Sequence, residues 1–207
     1  MIRLRRPRPT RLTPALALVV AAYTVPGVAF ADPPELMRHH VTLGLGFAHH
    51  VSGDFEDAGL ETGLQGQVGY RFSLNRTFDL CLDGRSFMTS DEEVFGETGG
   101  PATVKQEHET LYFGPGVRWS TGAGPIRPYL QASVFYLKET MRLEHDGQGG
   151  DTTSEGGGFG LIGGADIHLS QMFSLPVEAN FLYGKADLDV SSLGMQAGLT
   201  FNFRPLP

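Results

Sequence analysis

The 207-residue chain has one cysteine, Cys81, so no internal disulfide can staple it, and that thiol lies far from any cleavage site where lipid could be attached. Beyond residue 31 it has no apolar run approaching the roughly 20 residues that a spanning helix needs. Positive charge is also scarce: 16 Lys and Arg stand against 23 Asp and Glu, a formal net charge of −7. That imbalance argues against nucleic acid as a partner. No linker rich in Pro or Ser divides the chain, and no glycine-rich turn joins a strand to a helix as a phosphate loop requires.

What is present begins with a secretory pattern. Arg3, Arg5, Arg6, Arg8 and Arg11 lead into the apolar stretch Ala15 to Val20, and the pattern as a whole ends at Ala29-Phe30-Ala31. A transmembrane anchor is the competing reading, but Pro26 and Gly27 break the apolar run too early. Residues 1–31 are therefore expected to be a cleaved signal peptide, and residues 32–207 one mature domain. The paired Arg5 and Arg6 raise the twin-arginine route, though the residues around them do not otherwise suggest it. The segment takes five of the sixteen basic residues and no acids, leaving eleven against twenty-three and a mature balance of −12.

The rest of the chain alternates apolar with small or polar residues in segments of about ten. In the last, Leu193, Met195, Ala197, Leu199, Phe201 and Phe203 alternate with Gly194, Gln196, Gly198, Thr200 and Asn202. Seven more segments fall near 40–50, 60–72, 77–89, 109–120, 128–139, 158–169 and 173–184. In the second, Leu64, Val68, Tyr70 and Phe72 oppose Glu61, Gln65, Gln67 and Arg71. In the third, Phe78, Leu80, Leu82 and Met88 oppose Asp79, Cys81, Asp83 and Arg85. The register of the fifth, Pro128 to Glu139, is ambiguous.

Alternation alone also suits a soluble sandwich. The connections favour a barrel: Ser73 to Arg76, Thr121 to Arg127 and Ser170 to Met172 are short, whereas Ser90 to Glu107 and Thr140 to Gly157 are long, polar and acidic. Short turns at one end and long loops at the other, with an even strand count, are the asymmetry of outer-membrane barrels. Tyr70, Phe72, Phe78, Trp119, Tyr129 and Phe173 lie near strand ends, where interfacial girdles form. A mean hydropathy of −0.12 is compatible, since half of each strand faces away from lipid. The expected fold is all-β: a closed eight-stranded antiparallel up-and-down transmembrane barrel in the bacterial outer membrane, with short periplasmic turns and longer outer loops.

Thr110-Leu-Tyr-Phe-Gly-Pro-Gly-Val-Arg-Trp119, Arg127-Pro-Tyr-Leu-Gln-Ala132 and the closing Gly194-Met-Gln-Ala-Gly-Leu-Thr-Phe-Asn-Phe203 make the mature chain resemble the small outer-membrane barrels of the OmpA transmembrane-domain, OmpX and OmpW kind. These are patterns of a structural class, with no signature of a reaction. The resemblance implies that Phe203 is the aromatic assembly signal read by the barrel-assembly machinery, with Arg204-Pro-Leu-Pro207 as a departure after it. It also implies outer-membrane lipid and lipopolysaccharide as partners.

Eight strands enclose a lumen that side chains fill. The inward acids Glu61, Asp79, Asp83, Asp166 and Glu178 and the bases Arg71, Arg85 and Arg118 are expected to pair there as a charge network, because buried charge must be compensated. A proton or solute path is the functional alternative for the same residues. Gly44, Gly46, Gly114, Gly116 and Gly198 are expected to make room for longer side chains opposite.

His168-Leu169-Ser170 looks like the His-x-Ser pair of a barrel family that deacylates lipid A, but the position falls at a short turn and no catalytic residue is assigned. Asp54, Glu56, Asp57, Asp91, Glu92, Glu93, Glu97, Glu144, Asp146, Asp151, Glu155, Asp187 and Asp189 gather toward the long-loop end, yet match no calcium loop. His49, His50, His108 and His145 lie toward that end too, without a defined ligand set. No metal or cofactor is called for. The expected role is non-enzymatic, as an envelope-structural or surface-interaction protein. Passage of small hydrophobic solutes, which the OmpW resemblance implies, is the alternative, and lipid A hydrolysis trails both.

Overall fold

The computed structural model describes residues 39–51, 62–96, 101–122, 124–145, 148–186 and 189–203, without the side chains of 91–104, 145 and 148. Eight strands follow one another: β1 (His39–His50), β2 (Thr62–Ser73), β3 (Phe78–Gly96), β4 (Pro101–Ser120), β5 (Ile126–His145), β6 (Gln148–His168), β7 (Phe173–Lys185) and β8 (Asp189–Phe203). Each is antiparallel to its sequence neighbour, and β8 pairs back onto β1 from Phe203 opposite His39 to Ser192 opposite His50, closing the barrel.

Alternation is resolved into two faces. Leu43, Leu45 and Phe47 of β1 are 62, 78 and 64 % exposed, while Thr42, Ala48 and His50 between and beyond them are buried. A belt of exposed Leu, Val, Phe and Met around the whole wall is untenable in water and is the surface a bilayer solvates. Polar residues occupy most of the interior, the reverse of a soluble core.

The strands are longer than their periodicity suggests. Segments 90–107 and 140–157, expected as long loops, are largely paired backbone: β3 and β4 stay in register to Gly96 opposite Pro101, β5 and β6 to His145 opposite Gln148, and β4 and β5 to Val104 opposite His145. Among the described residues, pairing with β2 reaches Leu64 opposite Met88, and with β7 Gly157 opposite Lys185. A four-stranded sheet of β3 to β6 therefore rises past the barrel rim. With no lipid-facing side to keep apolar, these extensions lose the period-2 signature while their ladders still satisfy the backbone.

The short connections form the opposite end. Asn75 Oδ1 accepts from the amides of Thr77 at 2.8 Å and Phe78 at 2.9 Å, closing the β2–β3 turn. Gly122, with φ of 90°, supplies the left-handed residue after β4. Inward glycines serve two purposes. Gly44 faces the side chains of Gln67 and Gln196, as expected of a space-making residue. Gly46, Gly114 and Gly198 differ: a Cβ there would lie 2.1, 2.0 and 2.4 Å from the carbonyl oxygens of Met195, Val134 and Leu43, so they permit the close strand curvature of a narrow barrel.

Candidate functional site

The lumen is layered. Nearest the short turns, Arg71 reaches from β2 to place Nη1 2.8 Å from Asp166 Oδ2 and 3.9 Å from Asp79 Oδ2. Arg118 of β4 meets the same Asp166 oxygen at 3.4 Å and donates Nε to Gln131 Oε1 at 3.0 Å. Its guanidinium carbon stands 3.7 Å over the Tyr129 ring, a cation–π contact between two buried side chains. His40 spans to Asn202 Oδ1 at 2.7 Å and Ser73 Oγ at 2.9 Å.

Mid-barrel, Arg85 Nη2 donates to Glu178 Oε1 at 2.7 Å, Tyr129 hydroxyl to Glu178 Oε2 at 2.5 Å, and Gln196 Nε2 to Glu178 Oε1 at 2.8 Å. Asp83 takes its hydrogen bonds from neutral amides, those of Gln67 at 3.2 Å and of Gln131. Gln65 and Asn180 exchange amide hydrogen bonds across the lumen at 3.3 and 3.1 Å.

Toward the hairpins the interior turns apolar on one side. Tyr112, Phe135, Leu137, Leu182 and Val190 form a cluster no more than 4 % exposed, with Met141 and Ala186 packed against it. Across from it His50 lies 4.5 Å from the Phe87 ring and 5.4 Å from the His108 ring, and His108 Nε2 is 3.7 Å from Glu139 Oε1.

Of the eight charges placed inward from the sequence, the structure buries seven: Arg71, Asp79, Asp83, Arg85, Arg118, Asp166 and Glu178. Glu61 lies outside the described residues, as do residues 1–38, the first-loop acids Asp54, Glu56 and Asp57, and the tail from Arg204. The side chains of Asp91, Glu92, Glu93, Glu97, His145, Asp146 and Asp187 also fall outside them. Glu144, Asp151, Glu155 and Asp189 sit on strands, not in loops.

Tyr129 corrects a sequence expectation. It is 5 % exposed and belongs to the lumen, not to the aromatic girdle. The β5 register that hid this places Tyr129, Gln131, Ser133, Phe135, Leu137 and Glu139 inward and Leu130, Val134 and Tyr136 outward. The apolar layer was missed for the same reason, since Phe135 and Leu137 have apolar neighbours on the opposite face. Strand parity does find Gln131 and Gln196 once the register is known.

Ser170 Oγ accepts from the amides of Phe173 at 3.1 Å and Met172 at 3.3 Å, so it closes the β6–β7 turn, while His168 is buried at the end of the lumen. Phe203 stacks on His39 with ring centres 5.5 Å apart and on Phe201 at 5.7 Å, covering the β1–β8 seam. Among the described residues no three His, Cys, Asp or Glu side chains converge as a metal ligand set.

Outside the lumen, a groove of about 420 Å³ opens on the outer wall where the four-stranded extension leaves the barrel. Leu64 and Met88 border it on the apolar side; Thr62, Ser90, Glu107, Glu109, Thr140 and Arg142 border it beyond the apolar belt. Lys105 Nζ lies 2.5 Å from Glu107 Oε1 and holds that carboxyl below the usual range.

The family model for the outer membrane protein beta-barrel domain matches residues 15–203. No curated protein matches the chain in sequence. Among solved structures, the chain is similar to the Neisserial surface protein A (NspA), with 16 % identity, 80 % of this chain and 97 % of that chain covered, and a TM-score of 0.53. It is also similar to Ail, the attachment invasion locus protein of Yersinia pestis, solved with the heparin analogue sucrose octasulfate: 16 % identity, 80 and 99 % covered, TM-score 0.50. At these identities the likeness is one of fold.

Proposed function

The chain belongs to the outer membrane protein beta-barrel domain family and is a protein of the bacterial outer membrane, and on that premise we propose that it works by display: the barrel anchors a protruding sheet that contacts partners outside the cell. The observation that carries this is the continuation of β3 to β6 beyond the lipid-facing belt. Between Gln148 and Gly156, β6 has no β7 partner among the described residues, so its backbone is open to an extended segment of another protein. Lumen contacts and the buried apolar layer support an anchor over a conduit. In this reading residues 1–31 direct export, Phe203 is the signal for the assembly machinery, the lumen charges hold the wall together, and no catalysis takes place.

Cysteine substitution on intact cells tests the display geometry. T152C, at the exposed β6 edge, is expected to react with a membrane-impermeant maleimide, and N75C, at the opposite end, is expected not to react while Cys81 stays silent. The reverse labelling pattern overturns the reading. Cutting both hairpins back, by deleting 92–105 and 142–151, should leave a membrane-inserted barrel and an unchanged resistance of the envelope to detergent. Loss of that resistance with the barrel intact would favour a structural role in the envelope instead.

A further inference from the structure

We propose that the open edge of β6 is a self-recognition strand: it pairs antiparallel with the same edge of a second copy of this chain, seated in a facing outer membrane. The inference rests on the display reading above and names its partner.

The edge is built into the connectivity. β7 ends at Lys185, and its last pair with β8, Lys185 opposite Asp189, turns the chain back toward the membrane. β7 therefore cannot follow β6 to the tip, although β5 holds β6 in register as far as Gln148. From Gly149 to Ser154 the sequence Gly-Gly-Asp-Thr-Thr-Ser has no Pro and no Lys, the residues that commonly guard an exposed edge. Its threonines are good strand formers, and their hydroxyls pair across an antiparallel ladder.

Symmetry then fixes the register. Two identical strands pair antiparallel about a two-fold axis normal to the sheet, and because opposite residues share a face, one residue must meet its own copy. With Thr152 at the centre, Asp151 meets Thr153 and Gly150 meets Ser154, so no acid faces an acid and the glycine faces a side chain. One residue toward the tip, Asp151 would oppose Asp151. One residue toward the barrel, Gly150 would be driven opposite Gly156, where the lane is already taken: a Cβ on Gly156 would lie 2.8 Å from Ala186 Cα. Asp151 is compensated within its own sheet, 3.5 Å from Arg142 Nε, so the shared edge brings no unmatched charge together.

The same axis fixes how the two barrels stand. A two-fold normal to the barrel wall inverts the barrel, and two barrels in one membrane cannot satisfy it, because both insert with their short turns on the same side. Copies related in this way face each other from opposed membranes. The contact is adhesive, small in each pair and multiplied over two apposed surfaces.

The test uses mature barrels in lipid nanodiscs at one per disc, so that any dimer joins two discs, with Cys81 buried and silent. Under mild oxidation T152C, which meets its own copy within disulfide reach, is expected to link discs about tenfold faster than G150C, whose copies stand about 13 Å apart along the strands. Gly150 has open space around it, so the control cysteine is accommodated without strain. T153E sets a carboxylate opposite Asp151 twice in each pair and is expected to weaken disc pairing in sedimentation about tenfold, while T153K is expected to strengthen it. The heat-dependent gel shift confirms that each variant is folded. Equal cross-linking of T152C and G150C, or folded T153E that pairs as wild type, overturns the proposal and leaves the edge to a strand of a different protein. Surface labelling of T152C on intact cells without a specific link between discs would retain the display reading and sink this one.

Discussion

Arg85 on β3 and Glu178 on β7 are joined across the lumen by a 2.7 Å hydrogen-bonded ion pair in which both side chains are almost wholly shielded from solvent. Strands that are not neighbours in the wall are thereby tied together through the centre. The glutamate is over-determined, since Tyr129 and Gln196 also donate to it.

Breaking one side of this pair leaves an uncompensated buried charge. Arg85→Met is expected to cost about 3–5 kcal/mol in urea unfolding from lipid vesicles, and the double variant Arg85→Met with Glu178→Gln to recover part of that loss. Strict additivity of the two single changes would show that the pair is not coupled.

The apolar layer of Tyr112, Phe135, Leu137, Leu182 and Val190 is expected to be the barrier to ions at the hairpin end. In planar bilayers the wild-type barrel should be electrically silent, and Leu137→Ala with Leu182→Ala should introduce discrete conductance steps. The core truncations should also cost about 2–5 kcal/mol each. A silent double variant that is still folded would place the barrier in the charged layers below.

Ser170 contributes a turn, so Ser170→Ala should lower stability by no more than about 1 kcal/mol and leave lipid A acylation unchanged by mass spectrometry of extracted lipid. An altered acylation pattern would restore the hydrolase reading.

On the protruding sheet, the Lys105 ammonium keeps the Glu107 carboxyl ionised below the ordinary glutamate range. The sign follows: the favourable interaction is complete above the unfolded-state value and is lost as pH falls through the depressed one. NMR titration of Glu107 should show a low value that returns to the ordinary range in Lys105→Gln. Both side chains are well exposed, so added salt should move the wild-type value the same way. An unchanged titration in the variant would show that Lys105 is not the cause.

How much was legible beforehand varied with the strand. In β2 and β3 a clean alternation made Arg71, Asp79, Asp83 and Arg85 readable as inward residues, and the structure buries all four. In β5 apolar residues on both faces erased the period, which concealed Tyr129 and the layer built on Phe135 and Leu137. The polar stretches after Met88 and after Glu139 carried no period at all, because neither face there needs lipid, and strand continued where loop was expected.

The sequence by itself determined the class: one apolar face per strand, too few apolar residues in a row for a spanning helix, short turns opposite long connections and an even strand count favour a closed barrel in a membrane over a soluble sandwich. Tertiary structure alone decided the partners. Which carboxylate meets which guanidinium depends on side chains reaching between strands as far apart in the chain as Arg71 and Asp166, and the outer groove forms where β3, β4 and β5 continue past the last described pair of β2 with β3. Alternation records which way a side chain points, but only register and strand length fix what it meets.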